Sequence, residues 1–166
     1  PDPIAGWDTE TGYPAIGSEK YEGIITLRRG VVSSLNVAAA RTLLEDVSLQ
    51  TAADYLAKLG VDPSRIKATG SGLALGAMGI TPIEMAGAYA AIANEGKYIK
   101  PVSFSRVIDQ NGKVILDSSK LRTEQQVFKP TTAYMLVDIL HEAVESGTGT
   151  SAKIKGMTVA GKTGTN

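Results

Sequence analysis

The sequence predicts an α+β fold that is mostly helical, with a small hairpin and one strand of an antiparallel sheet. Three observations predict it. Several segments begin on helix-capping residues and stop at glycine, an Asn-Gly pair separates two short strand-prone runs, and the chain closes on short, partly β-branched residues.

The first twenty residues are rich in Gly, Pro and acidic positions and read as an irregular lead-in. Ile24, Leu27 and Val31 then fall at helical spacing and suggest a short helix that delivers Ser34. Ser48 is placed to cap a helix from Leu49 to Leu59, which Gly60 stops. Thr81-Pro82-Ile83-Glu84 has the form of a capping box with proline at the first helical position, so a helix should run to about Asn94 and end at Gly96. Its expected core face is Ile83, Ala86, Tyr89, Ala90 and Ala93. Phe104 to Ile108 and Lys113 to Leu116 flank Asp109-Gln110-Asn111-Gly112 and make a peripheral hairpin over about 104–116. Apolar residues at 133, 136, 137, 140 and 144 define an amphipathic helix from about Thr131 to Glu145, closed by Gly147. Met157-Thr158-Val159-Ala160 then leads into Lys162-Thr163-Gly164 as an extended strand over 156–166. A lone strand cannot satisfy its own ladder hydrogen bonds, so another segment must pair with it.

Composition narrows the function classes. The chain's 166 residues suffice for one domain with a core, and 43% apolar content exclude a disordered reading. Basic and acidic residues both number 17, so no charge bias points to nucleic acid or an anionic membrane surface. Cysteine is absent and His141 is the single histidine, which excludes disulfides and thiolate or imidazole metal clusters. His141, near the end of a helical stretch, reads as solvated or facing the helix dipole. No run of about 18 apolar residues occurs, so the chain itself is not expected to span a membrane.

Two triplets carry chemistry: Ser34-Leu35-Asn36, between the apolar-periodic segments 24–32 and 37–44, and Lys162-Thr163-Gly164. Gly164 leaves one face of its strand bare, so a flat ligand can lie against the backbone. Their surroundings are distinctive. Tyr21-Glu22-Gly23-Ile24-Ile25-Thr26-Leu27-Arg28 before Ser34, then Gly79-Ile80-Thr81-Pro82-Ile83-Glu84-Met85-Ala86-Gly87-Ala88-Tyr89-Ala90, Ala93-Asn94-Glu95-Gly96, Pro101, Gly147-Thr148-Gly149 and Ala160 to Thr165 follow in one order. That series resembles the transpeptidase domain of class A penicillin-binding proteins, which share a fold with serine β-lactamases. The resemblance runs from about Tyr21 onward.

The resemblance implies a peptidoglycan D,D-transpeptidase. Such an enzyme attacks the penultimate D-alanine carbonyl of a stem peptide with the serine of a Ser-x-x-Lys motif, and β-lactams acylate the same serine. It implies that Ser34 relays a proton near the leaving nitrogen, that Asn36 holds a substrate amide, and that Lys162 stands beside Ser34 as positive charge for the substrate carboxylate. Thr163, Gly164 and Thr165 would bind the ligand, with the Thr165 N–H in the oxyanion hole. The nucleophilic Ser-x-x-Lys, which the family places before Ser-x-Asn, is expected on a complementary part of the same domain. The chain then reads as a partial transpeptidase domain, inactive alone. No cofactor or metal is implied, and the site would face the extracytoplasmic side of a bacterial membrane through an anchor outside this chain. A D-Ala-D-Ala carboxypeptidase, a β-lactamase and a penicillin sensor share these motifs.

Two other strings compete. Ser64-Arg65-Ile66-Lys67 has a lysine one helical turn after a serine, but it lies between the two triplets and follows Asp62-Pro63. Gly156 to Thr163 satisfies the phosphate-loop pattern, which requires a strand before it and a helix after it. Thr158-Val159 prefer strand, and no helix signal follows.

Overall fold

A computed structural model of the chain describes residues 23–164. The lead-in expected over 1–20 and Thr165 lie outside the described residues.

Helix α1, Leu27–Val32, starts where the Thr26 hydroxyl accepts from the Arg29 N–H at 3.1 Å. It ends in a Schellman turn: the Leu35 N–H donates to the Gly30 carbonyl at 2.9 Å and the Ser34 N–H to Val31 at 3.1 Å. Helix α2, Asn36–Arg41, follows at once, because Gly30 lets the two helices touch. A Cβ on Gly30 would stand 2.9 Å from the Ala38 Cβ. The chain runs on as a π-helical turn, Thr42–Val47, in which the Ser48 N–H reaches five residues back to Leu43 at 2.7 Å.

Ser48 caps α3, Leu49–Lys58, by accepting from the Thr51 N–H at 3.3 Å, and Gly60 leaves the helix at φ +88°. A short α4, Gly70–Leu75, has no strong periodic signal and is held by its Thr69 cap. Helix α5, Pro82–Ala93, carries both halves of its capping box: the Glu84 N–H donates to the Thr81 hydroxyl at 3.4 Å and the Thr81 N–H to the Glu84 carboxylate at 2.9 Å. Its core face differs from expectation. Ile83, Ala86, Tyr89, Ala90 and Ala93 are exposed, and Gly87 and Ala91 are buried. The helix is apolar or small nearly all round, so periodicity marks no single face. The close approach is set by Gly87, where a Cβ would lie 3.2 Å from both the Tyr98 ring and the Pro101 ring.

Strand β1, Lys97–Ile99, pairs antiparallel with β4, Glu124–Gln126, in the register Tyr98 opposite Gln125. Between them, β2, Arg106–Ile108, and β3, Val114–Asp117, form the expected hairpin with a bulge near Ile108. Its turn closes through the Gly112 N–H on the Asp109 carbonyl at 3.1 Å, and Gly112 takes the positive φ of +81°. One helical turn, α6, Ser118–Leu121, leads into β4.

Helix α7, Pro130–Glu145, is the spine: it packs on α1 on one side and α5 on another, burying Ala133, Leu140, Ala143 and Val144. No charged or polar residue is buried among the described residues. After the 3₁₀ turn Thr150–Ala152 the chain passes along α7. The strand expected over 156–166 is not formed over its described part, 156–164. Residues 155–157 turn, with Gly156 at φ +80°, and 158–164 are irregular and have no ladder partner among the described residues. Strand structure requires a neighbour to satisfy its ladder hydrogen bonds.

Candidate active site

The site is built from the two ends of the described chain, brought together on α7. On one side the Schellman turn puts Ser34 at its left-handed position, φ +55°, one of the few non-glycine residues in that region. That conformation costs a residue with a Cβ about 1–2 kcal/mol, yet it turns the Ser34 side chain out of the helix line. Asn36 opens α2 two residues later. Helix α1 is aligned on α7 by Arg28, whose guanidinium donates to Glu142 at 2.7 Å and to Asp138 at 2.5 Å. These hydrogen bonds, Glu142 first, push the Arg28 pKa further up from its ordinary value.

On the other side the segment before Lys162 is held twice by α7. The Gly161 N–H donates to the Leu140 carbonyl at 3.1 Å, and His141 Nδ1 lies 2.9 Å from the Val159 carbonyl. A carbonyl oxygen only accepts, so Nδ1 carries the proton. His141 is therefore half-buried and engaged, contrary to the solvated reading of the sequence.

The two sides meet at one ammonium. Lys162 Nζ donates to Ser34 Oγ at 2.7 Å, to the Thr163 carbonyl at 3.1 Å and to Thr163 Oγ1 at 3.3 Å. Thr163 Oγ1 lies 2.7 Å from Thr148 Oγ1, and the Thr148 N–H donates to the Val32 carbonyl at 3.2 Å. Ser34, Lys162, Thr163 and Thr148 thus form one row of polar groups, in which Ser34, Thr148 and Thr163 are exposed. Among the described residues no carboxylate pairs with Lys162. Partial burial pushes its pKa below the ordinary lysine value. Among the described residues the cation is served by hydroxyls and a carbonyl alone, so its charge is left uncompensated there and an anionic group could pair with it. Gly164 follows in the same exposed segment. A cavity of about 390 Å³ between the end of α3 and the β1–β4 sheet, lined by Gly60, Val61, Asp62, Tyr98, Lys100 and Thr123 among others, contains none of these groups.

The competing strings fall elsewhere. Ser64 lies in the 3₁₀ turn Pro63–Arg65, and its hydroxyl donates to Asp62 at 2.8 Å. Ile66 is already extended, so Lys67 is not one helical turn beyond it. Lys162 and Thr163 stand in an irregular segment rather than at a helix N-terminus, which leaves the phosphate-loop pattern without its anion-binding element.

A family model described as the penicillin binding protein transpeptidase domain matches residues 5–166. The chain belongs to the penicillin-binding protein transpeptidase family. Among its curated relatives are penicillin-binding protein 1A of Aquifex aeolicus, 36% identical over 99% of this chain and 21% of that protein, and penicillin-binding protein 1A/1B of Bacillus subtilis, 34% identical over 98% and 17%. The chain spans about a fifth of the length of such penicillin-binding proteins. The D,D-transpeptidase domain of a peptidoglycan glycosyltransferase from Eggerthella lenta superposes with a TM-score of 0.70 at 25% identity, over 87% of this chain and 42% of that one. Penicillin-binding protein A from Mycobacterium tuberculosis shares the fold, with a TM-score of 0.68 at 19% identity over 90% of this chain and 40% of that one. The fold is therefore that of penicillin-binding protein transpeptidase domains, mixed helix with small antiparallel sheets. Sequence reasoning missed Thr148 and His141 as parts of the site. Thr148 had a signal in the Gly147-Thr148-Gly149 triplet, whereas His141 had none.

Proposed function

We propose that this chain supplies one wall of the acyl-transfer site of a peptidoglycan D,D-transpeptidase, with Ser34, Asn36 and Lys162 in the catalytic apparatus and Thr163, Gly164 and Thr165 along the ligand. The observation that carries the reading is the 2.7 Å contact between Lys162 Nζ and Ser34 Oγ, made by an ammonium without a carboxylate partner among the described residues. The nucleophile is a serine of a Ser-x-x-Lys motif outside this chain. Its oxygen bonds to the penultimate D-alanine carbonyl, the amide C–N bond breaks, and terminal D-alanine leaves after its nitrogen takes a proton by way of Ser34. The acyl group then passes to the amine of a second stem peptide. Lys162 stabilises the ligand carboxylate and biases the Ser34 hydroxyl, whose oxygen accepts from Nζ, to donate its own proton onward.

β-Lactams acylate the same serine in this reading, which is supported by the existence of an imipenem acyl-enzyme complex of penicillin-binding protein A from M. tuberculosis, a protein of the same fold. The reaction takes place at the outer face of the bacterial membrane, held there by an anchor outside the chain. No helix among the described residues is long and apolar enough to cross a membrane.

The test uses the full-length protein and a fluorescent penicillin. Lys162→Ala and Ser34→Ala should each lower the acylation rate by about 100- to 1000-fold with the fold retained, the cost of removing a preorganised electrostatic group. Undiminished acylation of both variants would remove them from the site. A thermal shift with ATP and magnesium that Lys162→Ala abolishes would replace this reading with a nucleotide site.

A further inference from the structure

We infer that Thr148 is a positioning residue that holds the Thr163 hydroxyl in place and backs it with a hydrogen bond when that hydroxyl donates to an anionic ligand; the inference rests on the transpeptidase reading of the site. A hydroxyl oxygen has two acceptor positions and one proton. Lys162 Nζ has no lone pair to offer, so its 3.3 Å contact fills one acceptor position of Thr163 Oγ1. Thr148 Oγ1, 2.7 Å away on another side, fills the second when it donates. The Thr163 proton is then left without an acceptor among the described residues and is available to a carboxylate oxygen at the exposed row.

Thr148 is well placed to hold that direction. Its backbone N–H is tied to the Val32 carbonyl at the end of α1, at 3.2 Å. Gly147 before it lies so close to Val32 that a Cβ there would meet the Val32 carbonyl oxygen, and the Gly149 N–H after it donates to the Ala143 carbonyl at 2.9 Å. The Thr148 hydroxyl is thereby fixed relative to the same helix end that presents Ser34. Without it, the second acceptor position of Thr163 Oγ1 is left unfilled, and the hydroxyl loses the neighbouring donor that strengthens its own donation to a ligand.

The experiment compares a β-lactam bearing its free carboxylate with the methyl ester of the same compound, on full-length protein. Wild type should acylate faster with the carboxylate. Thr148→Val, which keeps the shape and the backbone contact, should reduce that preference by about tenfold by lowering the rate with the carboxylate more than the rate with the ester. Thr148→Ser should restore the preference. Loss of rate with both compounds alike, or an unchanged preference in Thr148→Val, would overturn the role of Thr148 and leave the transpeptidase reading standing. Absence of acylation of wild type by either compound would overturn both.

Discussion

The His141 Nδ1–H donates to the carbonyl of Val159 at 2.9 Å, three residues before the lysine that meets Ser34. Helix α7 therefore fixes both sides of the site, through Arg28 near one end of α1 and through His141 and Leu140 along the Lys162 segment. His141→Leu should destabilise the fold by about 0.5–1.5 kcal/mol, the net worth of one hydrogen bond, and lower the acylation rate by loosening Lys162. His141→Asn, whose amide also donates, should recover most of both in urea denaturation and penicillin acylation. Equal losses in the two variants would remove the hydrogen bond from the explanation.

Ser34 is strained where it stands, at φ +55°. Ser34→Gly relieves the Cβ conflict, whereas Ser34→Ala keeps it, so the glycine variant should be the more stable of the two by about 1 kcal/mol. Both lack the hydroxyl that Lys162 contacts, and both should acylate slowly. Chemical denaturation of the pair measures the difference, and an alanine variant as stable as the glycine one would show that the turn is not strained.

Gly147 admits no side chain. A Cβ there would lie 2.3 Å from the Val32 carbonyl oxygen and 2.9 Å from that of Ala143, and neither backbone atom can move without shifting its helix. Gly147→Ala should cost about 1–3 kcal/mol and displace Thr148. Gly164, with nothing within 4 Å of a built Cβ, serves as the control: Gly164→Ala should leave stability unchanged.

Acid should loosen the α5 end first. Glu84 is held at about 2, against an ordinary 4.5, chiefly by the Thr81 hydroxyl and N–H, with the Asp62 N–H and Arg65 adding to it. A depressed carboxylate pKa contributes stability that is present above about 4.5 and lost as pH falls from there toward 2. Thermal melts across that window should fall more steeply for wild type than for Glu84→Gln. Parallel curves would assign the acid sensitivity to other groups.

The readable parts of this fold are those written in local chemistry. Ser48 and Gly60 bound α3, Thr81 and Glu84 start α5, and the apolar spacing of α7 marks Ala133, Leu140 and Val144, which are buried. The meeting of Ser34 and Lys162 was expected from motif resemblance rather than from local pattern. What escaped depends on partners distant in sequence or on a lack of contrast. The β1–β4 pairing joins Lys97 to Gln126 through residues with no alternation, and α5 shows no polar face by which to orient it. The Thr148–Thr163 contact follows from how two loops dock on α7, which no window of sequence encodes.

The contacts that make the site are also those that take longest to find. Arg28 meets α7 across 110 and 114 positions, and Ser34 meets Lys162 across 128. Closing loops of that length carries an entropy cost that local helix formation does not, and high sequence separation slows folding. Helices α3 and α5 can form from neighbouring residues alone, while the polar row has no meaning until residues 128 positions apart have met. Competence to bind a ligand should therefore appear at the end of refolding, after most of the helical signal has returned, so that a ligand present during folding gives the early, helical species no added stability.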